Sequence, residues 1–138
     1  MKTFDYSLVK DPQYFKDGRM DAHSDHTYYR DGEEAKEKET SFRYDLNGIW
    51  KFHYARNYLR QEYKREKEDY CCKDWDDIRV PAHIQMEGYD APQYANVQYP
   101  WEGHEDIHPG EIPEHFNPVA SYVKYFEVPE EMQGKRLF

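Results

Sequence analysis

Hydrophobic and polar side chains alternate most clearly over residues 49–54. In an extended backbone, successive side chains point to opposite faces, so this alternation predicts a half-buried β-strand. The aromatic residues that would share one face are Trp50, Phe52 and Tyr54. Lys51 and His53 would occupy the other face, and Asn47-Gly48 just before the segment is typical of a turn.

Two further strands are predicted downstream. Residues 75–80 read as a brief strand that ends at Pro81, because proline cannot continue the hydrogen-bond ladder of a central strand. Residues 121–128 are predicted to form another strand, which Pro129 ends. Residues 134–138 are expected to form a turn that enters a further strand.

The remaining segments are irregular in pattern. Residues 1–40 are expected to form an extended arm, in which the charged run at 33–39 permits a short helical turn. The charged segment 55–70 fits a short helix or a loop, and the pattern does not choose between them. Residues 88–117 form a long stretch rich in proline and glycine, and loops of this length in compact domains usually bind something.

Together these elements favour an all-β fold. Three or four strands cannot close a sandwich, so some strand edges would stay unpaired. We therefore expect two parts, an extended N-terminal arm at residues 1–40 and a truncated, incomplete β-domain with long irregular loops at residues 41–138.

Composition and charge exclude several classes of function. The 138 residues carry 28 acidic and 19 basic side chains, a net charge of -9, which disfavours binding to nucleic acid or to anionic membranes. The N-terminus lacks the apolar segment of a secretory signal, and no run is long enough to span a membrane. Cys71 and Cys72 are adjacent, a spacing that disfavours a relaxed disulfide, so a reduced, cytoplasmic setting is expected.

Several side chains in the long loop are candidates for chemistry. Catalysis by a pair of carboxyl groups needs two of them facing one bond about 5 Å apart, and the loop offers Glu102, Glu105, Asp106, Glu111 and Glu114. Their loop setting selects no pair, so a solvated acidic loop is the favoured interpretation. Asn96 is either a turn residue or a ligand for sugar hydroxyls, since its amide has two donors and an acceptor. The aromatic residues that could stack on sugar rings, or merely cover prolines, are Tyr89, Tyr94, Tyr99 and Trp101.

Metal-binding and thiol chemistry are not favoured. His23 and His26 flank Asp25, but a zinc site needs three or four converging ligands, and the other histidines are scattered. No histidine or glycine-rich turn lies beside Cys71-Cys72, so both thiols are expected to be inert.

An ordered set of motifs resembles the long β-galactosidases of glycoside hydrolase family 2. The motifs are AHSDH at residues 22–26, DLNGIWKF at 45–52, IRVPAHIQMEGYDAP at 78–92, YANVQYP at 94–100 and NPVASY at 117–122. The resemblance implies a partial jelly-roll β-sandwich, similar to galactose-binding domains, beside a catalytic (β/α)₈ barrel in the intact enzyme. It also implies that Asn96 contacts the galactosyl hydroxyls.

The same resemblance limits what this chain can do by itself. The family's two catalytic glutamates, its metal-ligand clusters and a second sugar-contacting aspartate lie beyond residue 138. The chain is therefore expected to be an inactive N-terminal fragment of an enzyme that hydrolyses β-galactosides such as lactose with retention. Mg²⁺ and Na⁺ are implied for the intact enzyme, with no ligands here. The expected partners are the remainder of that enzyme and further copies of it, which residues 1–40 would help to assemble.

Two rival interpretations remain open at this point. The first is that the chain is a free-standing carbohydrate-binding module, which would need a closed sandwich. The second is that it is an interaction fragment that folds only on its partner.

Overall fold

Three strands form one antiparallel sheet in the computed structural model, which describes residues 5–58, 70–93, 96–97, 99 and 101–137. These strands are β1 (Gly48–Ala55), β2 (Asp76–Val80) and β3 (Val119–Val123). β1 lies in the centre, and β2 and β3 pair with its two edges. The strand predicted over residues 49–54 is confirmed and is one residue longer at each end.

The register of the sheet places the aromatic residues of β1 on one face. Ile78 lies opposite Trp50, and Tyr122 lies opposite Phe52. Directly opposed residues in an antiparallel pair project to the same side, so these four side chains share a face. The alternation in the sequence therefore predicted the orientation of β1 correctly.

Phe52 is the centre of the packing on this face. Its side chain is 0% exposed. The Tyr89 ring packs edge-on against it at 4.5 Å between centroids, and the Tyr122 ring lies at 4.9 Å. The Tyr89 hydroxyl also donates a hydrogen bond of 2.9 Å to the carboxylate of Asp76, the β2 residue opposite Phe52. The sheet and the segment that carries Tyr89 are thus joined at Phe52.

The opposite face of β1 is covered by the residues that precede β2. The Trp75 ring lies 5.5 Å from the His53 ring. The Lys51 ammonium forms an ion pair of 2.8 Å with Asp77 and a hydrogen bond of 3.4 Å to the carbonyl of Trp75. Trp75 itself precedes β2, so the predicted strand at 75–80 is one residue shorter in the structure and ends, as expected, before Pro81.

The predictions for the C-terminal part of the chain are partly wrong. β3 begins at Val119 and ends at Val123, whereas the sequence pattern predicted residues 121–128. Beyond Val123 the Tyr125 hydroxyl contacts the Cys72 sulfur at 3.4 Å, and Phe126 packs on Tyr44 at 6.1 Å. These contacts draw the chain away from β1. A 3₁₀ helix, Glu130–Met132, and a turn follow, and residues 134–137 form no strand.

The N-terminal part contains two short helices. The helical turn expected within 33–39 is confirmed as α1 (Gly32–Glu37). Asp31 caps the start of this helix, because the Asp31 carboxylate accepts two backbone hydrogen bonds of 3.0 Å. A 3₁₀ helix, Tyr6–Lys10, was not predicted. The division of the chain at residue 40 stays a prediction, and most of the undecided segment 55–70 lies outside the described residues.

The described part of the chain is mostly strand and loop with little helix, which agrees with the expected all-β class. No helix in the described ranges has the length and apolar character to cross a membrane.

Replacing Phe52 with alanine tests this arrangement. Phe52→Ala is expected to lower the free energy of unfolding by about 3–5 kcal/mol, because it leaves a cavity between Tyr89 and Tyr122. Urea denaturation followed by tryptophan fluorescence would measure the loss. The matched control is Ile49→Ala on the same strand, since the Ile49 side chain is 58% exposed. Equal losses in both variants would contradict the assignment of Phe52 as the core residue.

Candidate functional site

The long loop at residues 88–117 starts from the hydrophobic core. Tyr89 packs on Phe52, and Asp90 has a left-handed backbone conformation with φ of 57°. Burial raises the pKa of the Tyr54 hydroxyl, and the charge and hydrogen bond of Asp90 add to that increase. The first residues of the loop are therefore fixed against β1.

Glu105 connects two distant parts of this loop. Its carboxylate accepts backbone hydrogen bonds from Glu114 at 2.8 Å, from His115 at 3.0 Å and from Phe116 at 3.1 Å. The same carboxylate lies 3.1 Å from Nδ1 of His115. The Glu105 side chain is only 15% exposed, so we call this arrangement the Glu105 clamp.

The clamp changes the acidity of Glu105. Loss of solvent around the carboxyl group raises its pKa, but the backbone hydrogen bonds from residues 114–116 and the His115 ring together outweigh that effect. The pKa of Glu105 falls from 4.5 to about 2. Glu105 is thus ionised at neutral pH and is committed to holding backbone amides.

Hydrogen bonds also join Tyr99 and residues 101–105 in a turn. The amide of Glu102 donates to the carbonyl of Tyr99 at 3.0 Å, and the amide of Tyr99 donates to the Glu102 carboxylate at 3.2 Å. The amides of His104 and Glu105 both donate to the carbonyl of Trp101, at 2.9 and 3.1 Å. This turn reaches the other side of the loop through His104, whose ring stacks on Phe116 at 4.2 Å.

A second turn brings the N-terminal arm close to the loop. The amide of His108 donates to the Glu111 carboxylate at 2.9 Å, and the amide of Glu111 donates to the carbonyl of His108 at 3.0 Å. The amide of His108 lowers the pKa of Glu111 against a smaller opposing effect of burial, and the charges of His108 and Lys10 assist. Lys10 belongs to the 3₁₀ helix Tyr6–Lys10, so the arm contributes charge to this turn.

These turns surround a cleft with a volume of about 1150 Å³. Val9 contributes to it from the arm, and the other lining residues are Tyr99, residues 101–113 and Asn117. The carboxylates of Glu102, Glu105 and Glu111 each accept hydrogen bonds from backbone amides of the loop. These three carboxylates therefore stabilise the loop's own structure, and the interpretation of a solvated acidic loop without a catalytic pair stays a prediction.

Asn96 lies in a bend close in sequence to this cleft, and its side chain is exposed. Among the described residues of the loop, the first that lines the cleft is Tyr99, three positions after Asn96. An exposed amide at this point is able to meet a sugar hydroxyl, and the assignment of Asn96 to the sugar site stays a prediction.

The four aromatic candidates separate into different roles. Tyr89 packs on Phe52 in the core, a role that differs from both sugar stacking and the covering of prolines. Tyr99 and Trp101 line the cleft and are 82% and 41% exposed. Tyr94 lies outside the described residues.

The structure offers little support for a metal or thiol centre. His23 lies 3.5 Å from Asp25, while its Nδ1 contacts the carbonyl of Asp21 at 2.7 Å. Within the described ranges, no three histidine, cysteine or acidic side chains come together as a metal site would require. Cys71 is exposed and Cys72 is buried, and both are free thiols.

The comparison with known proteins identifies the family. Residues 43–137 match the family described as "Glycosyl hydrolases family 2, sugar binding domain". This chain belongs to that family. The match includes all three strands of the sheet, the cleft loop and the Glu105 clamp.

Relatives in the family are larger proteins than this chain. The chain is 51% identical over 140 residues to a β-galactosidase of Halalkalibacterium halodurans, a match that covers 100% of this chain and 14% of that protein. It is 41% identical over 135 residues to a β-galactosidase of Streptococcus thermophilus, covering 96% of this chain and 13% of that protein. A β-galactosidase large subunit of Latilactobacillus sakei is 34% identical over 138 residues, covering 91% and 22%. The chain thus corresponds to an N-terminal region that spans less than a quarter of these family 2 relatives.

The Glu105 clamp and the contact of the arm with the loop were not predicted from sequence. Glu105 is separated by nine to eleven residues from the amides that it binds. A local motif such as a helix cap has a fixed short spacing, whereas this one depends on how the loop folds back. A cluster of acids between prolines gave no signal that would distinguish Glu105 from its neighbours.

The clamp makes a pH-dependent contribution to stability that can be measured. The pKa of Glu105 is about 2 in the folded state against 4.5 as its ordinary value. A lowered carboxyl pKa stabilises the fold above the unfolded pKa, and this contribution is lost as the pH falls from 4.5 towards 2. The stability difference between the wild type and Glu105→Gln is therefore expected to be largest near neutral pH and to shrink over that range. Urea denaturation at several pH values would measure it.

The control for this experiment is Glu127→Gln, which removes an exposed carboxyl group from the segment after β3. It makes the same change in charge outside the clamp. A stability difference for Glu105→Gln that stays constant between pH 7 and the acid range would contradict the clamp.

Proposed function

We propose that this chain is the N-terminal, sugar-contacting part of a retaining β-galactosidase that hydrolyses terminal β-D-galactosides such as lactose. The observation that carries the proposal is the match to the family 2 sugar binding domain over residues 43–137. The names of the relatives, β-galactosidases in each case, supply the activity. In this proposal the remainder of the enzyme supplies the catalytic glutamates.

The proposed contribution of this chain to the galactoside pocket is Asn96. Its side chain is exposed, and it precedes the turn whose residues Tyr99 and Trp101 line the cleft. An amide donates two hydrogen bonds and accepts others, which suits a pair of neighbouring sugar hydroxyls. The exposed faces of Tyr99 and Trp101 offer apolar surface beside it.

The sheet supports a role as the beginning of a jelly-roll sandwich. Among the described residues β2 and β3 each pair with β1 alone, so each keeps one edge without a strand partner. Strand edges without a partner favour further strands or domains packed against them. In the proposed enzyme those additions include the rest of the sandwich and a (β/α)₈ barrel.

The metals implied for the intact enzyme are assigned to its other parts. This chain is proposed to supply no ligand to the Mg²⁺ or Na⁺ of the intact enzyme. The contribution proposed for this chain is to bind and orient the galactosyl group. The two free thiols support a reducing, cytoplasmic compartment for the enzyme.

Residues 1–40 are proposed to assist subunit assembly. This segment exposes large apolar side chains at Phe15, Met20 and Tyr28, and such side chains are commonly covered at interfaces between subunits. Its first helix also reaches the cleft through Val9. The arm would then support both the interface and the wall of the pocket.

A carbohydrate-binding module that acts alone is the second candidate, favoured by the presence of a cleft inside this chain. Thermal melting with and without galactosides separates the two. A sharp cooperative transition of the isolated chain that shifts upward with galactose would favour the module. A broad transition without a shift would favour the proposal that the chain is part of a larger enzyme.

Removing the Asn96 amide tests its role in the sugar site. In the full-length protein, Asn96→Ala is expected to lower kcat/KM for a galactoside by roughly ten- to a hundredfold, the equivalent of about 1.4–2.8 kcal/mol of lost binding. Steady-state kinetics would measure it. The matched control is Gln93→Ala, another exposed amide three residues upstream. An unchanged kcat/KM in Asn96→Ala would remove Asn96 from the site.

Complementation tests the arm. Mixing this chain with a β-galactosidase that lacks its own N-terminal arm is expected to restore galactoside hydrolysis, because the arm would rebuild the missing contacts. The matched control is the same chain without residues 1–40, which should restore little activity. Equal recovery with both chains would contradict the role of the arm in assembly.

A further inference from the structure

The loop that precedes β3 is attached to the sheet at Asn117, directly after the residues whose amides Glu105 binds. Asn117 forms a bridge with Asn57, which follows the end of β1, and β3 begins two residues later at Val119. The Asn117 side chain also donates to the carbonyl of Pro113 at 3.2 Å. The position of residues 113–117 is therefore fixed relative to the sheet.

Glu105 transmits that position to the other side of the cleft. Its carboxylate binds the amides of residues 114–116, while its own amide donates to the carbonyl of Trp101. The turn from Trp101 continues to Tyr99 through the pair of hydrogen bonds with Glu102. A continuous path of hydrogen bonds thus runs from the sheet to a point three residues after Asn96.

We propose that Glu105 is a positioning residue for galactoside binding, because its carboxylate ties residues 99–105 to the sheet and so fixes where Asn96 meets the sugar. This inference rests on the proposed function of Asn96. Glu105 itself contacts only protein groups in this arrangement. Its effect on the sugar is exerted through the loop.

The alternative is that the clamp only stabilises the fold, and two substitutions separate these roles. Glutamine has the size of glutamate, but its NH₂ group would face amide donors that need an acceptor. Aspartate keeps the charge and shortens the side chain by one methylene group. A purely structural clamp would lower the melting temperature in both variants without a specific effect on sugar affinity.

The test is a double-mutant cycle in the full-length protein that contains this chain, with lactose as the substrate. Glu105→Gln is expected to raise KM about three- to tenfold, as one weakened hydrogen bond would, with a smaller change in kcat. Adding Glu105→Gln to Asn96→Ala should raise KM little beyond Asn96→Ala alone, because both act on one contact. Glu105→Asp should give an intermediate KM. Glu127→Gln is the control for charge.

The outcomes distinguish this inference from the function on which it rests. If Asn96→Ala raises KM but the effect of Glu105→Gln is absent or fully additive, the positioning role is wrong and the proposed site survives. If Asn96→Ala leaves KM unchanged, the site residue itself is wrong and the inference falls with it. Should Glu105→Gln fail to fold, the same cycle with Glu105→Asp decides by the same criteria.

Discussion

The packing of Phe52 is the interaction on which the rest of the described structure depends. Phe52 lies on the strand that pairs with both neighbours, so the β2 and β3 pairings meet at this position. Tyr122 contacts it from β3, and Tyr89 contacts it from the start of the long loop. Burial of an aromatic side chain is a large stabilising contribution for so small a sheet. The same contact that holds the strands together also fixes where the loop begins.

From that starting point the loop is organised mainly by polar interactions. The carboxylates of Glu102, Glu105 and Glu111 accept backbone hydrogen bonds, and these bonds close turns within a segment rich in proline and glycine. Clustered acidic residues invite a catalytic interpretation. Here they are the means by which a long irregular segment acquires a defined shape, and the cleft is the consequence.

How well the sequence predicted each element depends on how far apart in the chain the interacting residues lie. The alternation around Phe52 and the run of glutamate and lysine at residues 33–39 are local signals, and β1 and α1 appear where these signals lie. The end of β3 depends on the contacts of Tyr125 with Cys72 and of Phe126 with Tyr44, partners more than fifty residues away. Such contacts leave no local pattern, and the strand predicted up to residue 128 was therefore too long.

The candidate site shows the same division. Asn96 was selected because it stands in a motif, and its exposed side chain is compatible with that selection. Glu105 was treated as one of several equivalent acids, because its distinction arises only when residues 114–116 fold back onto it. Val9 was assigned to the arm, and its place in the cleft wall follows from tertiary structure alone. A motif thus selected Asn96 as the candidate, whereas the groups proposed to position it are brought together only by the tertiary structure.

The central claim is that this partial sheet exists to present a loop to a galactoside held by the larger enzyme. A structure of the full-length protein with a bound galactoside tests it most directly. The account predicts that the Asn96 amide lies within about 3.2 Å of a galactosyl hydroxyl. A galactoside bound far from residues 96–117, with other domains separating Asn96 from it, would contradict the account.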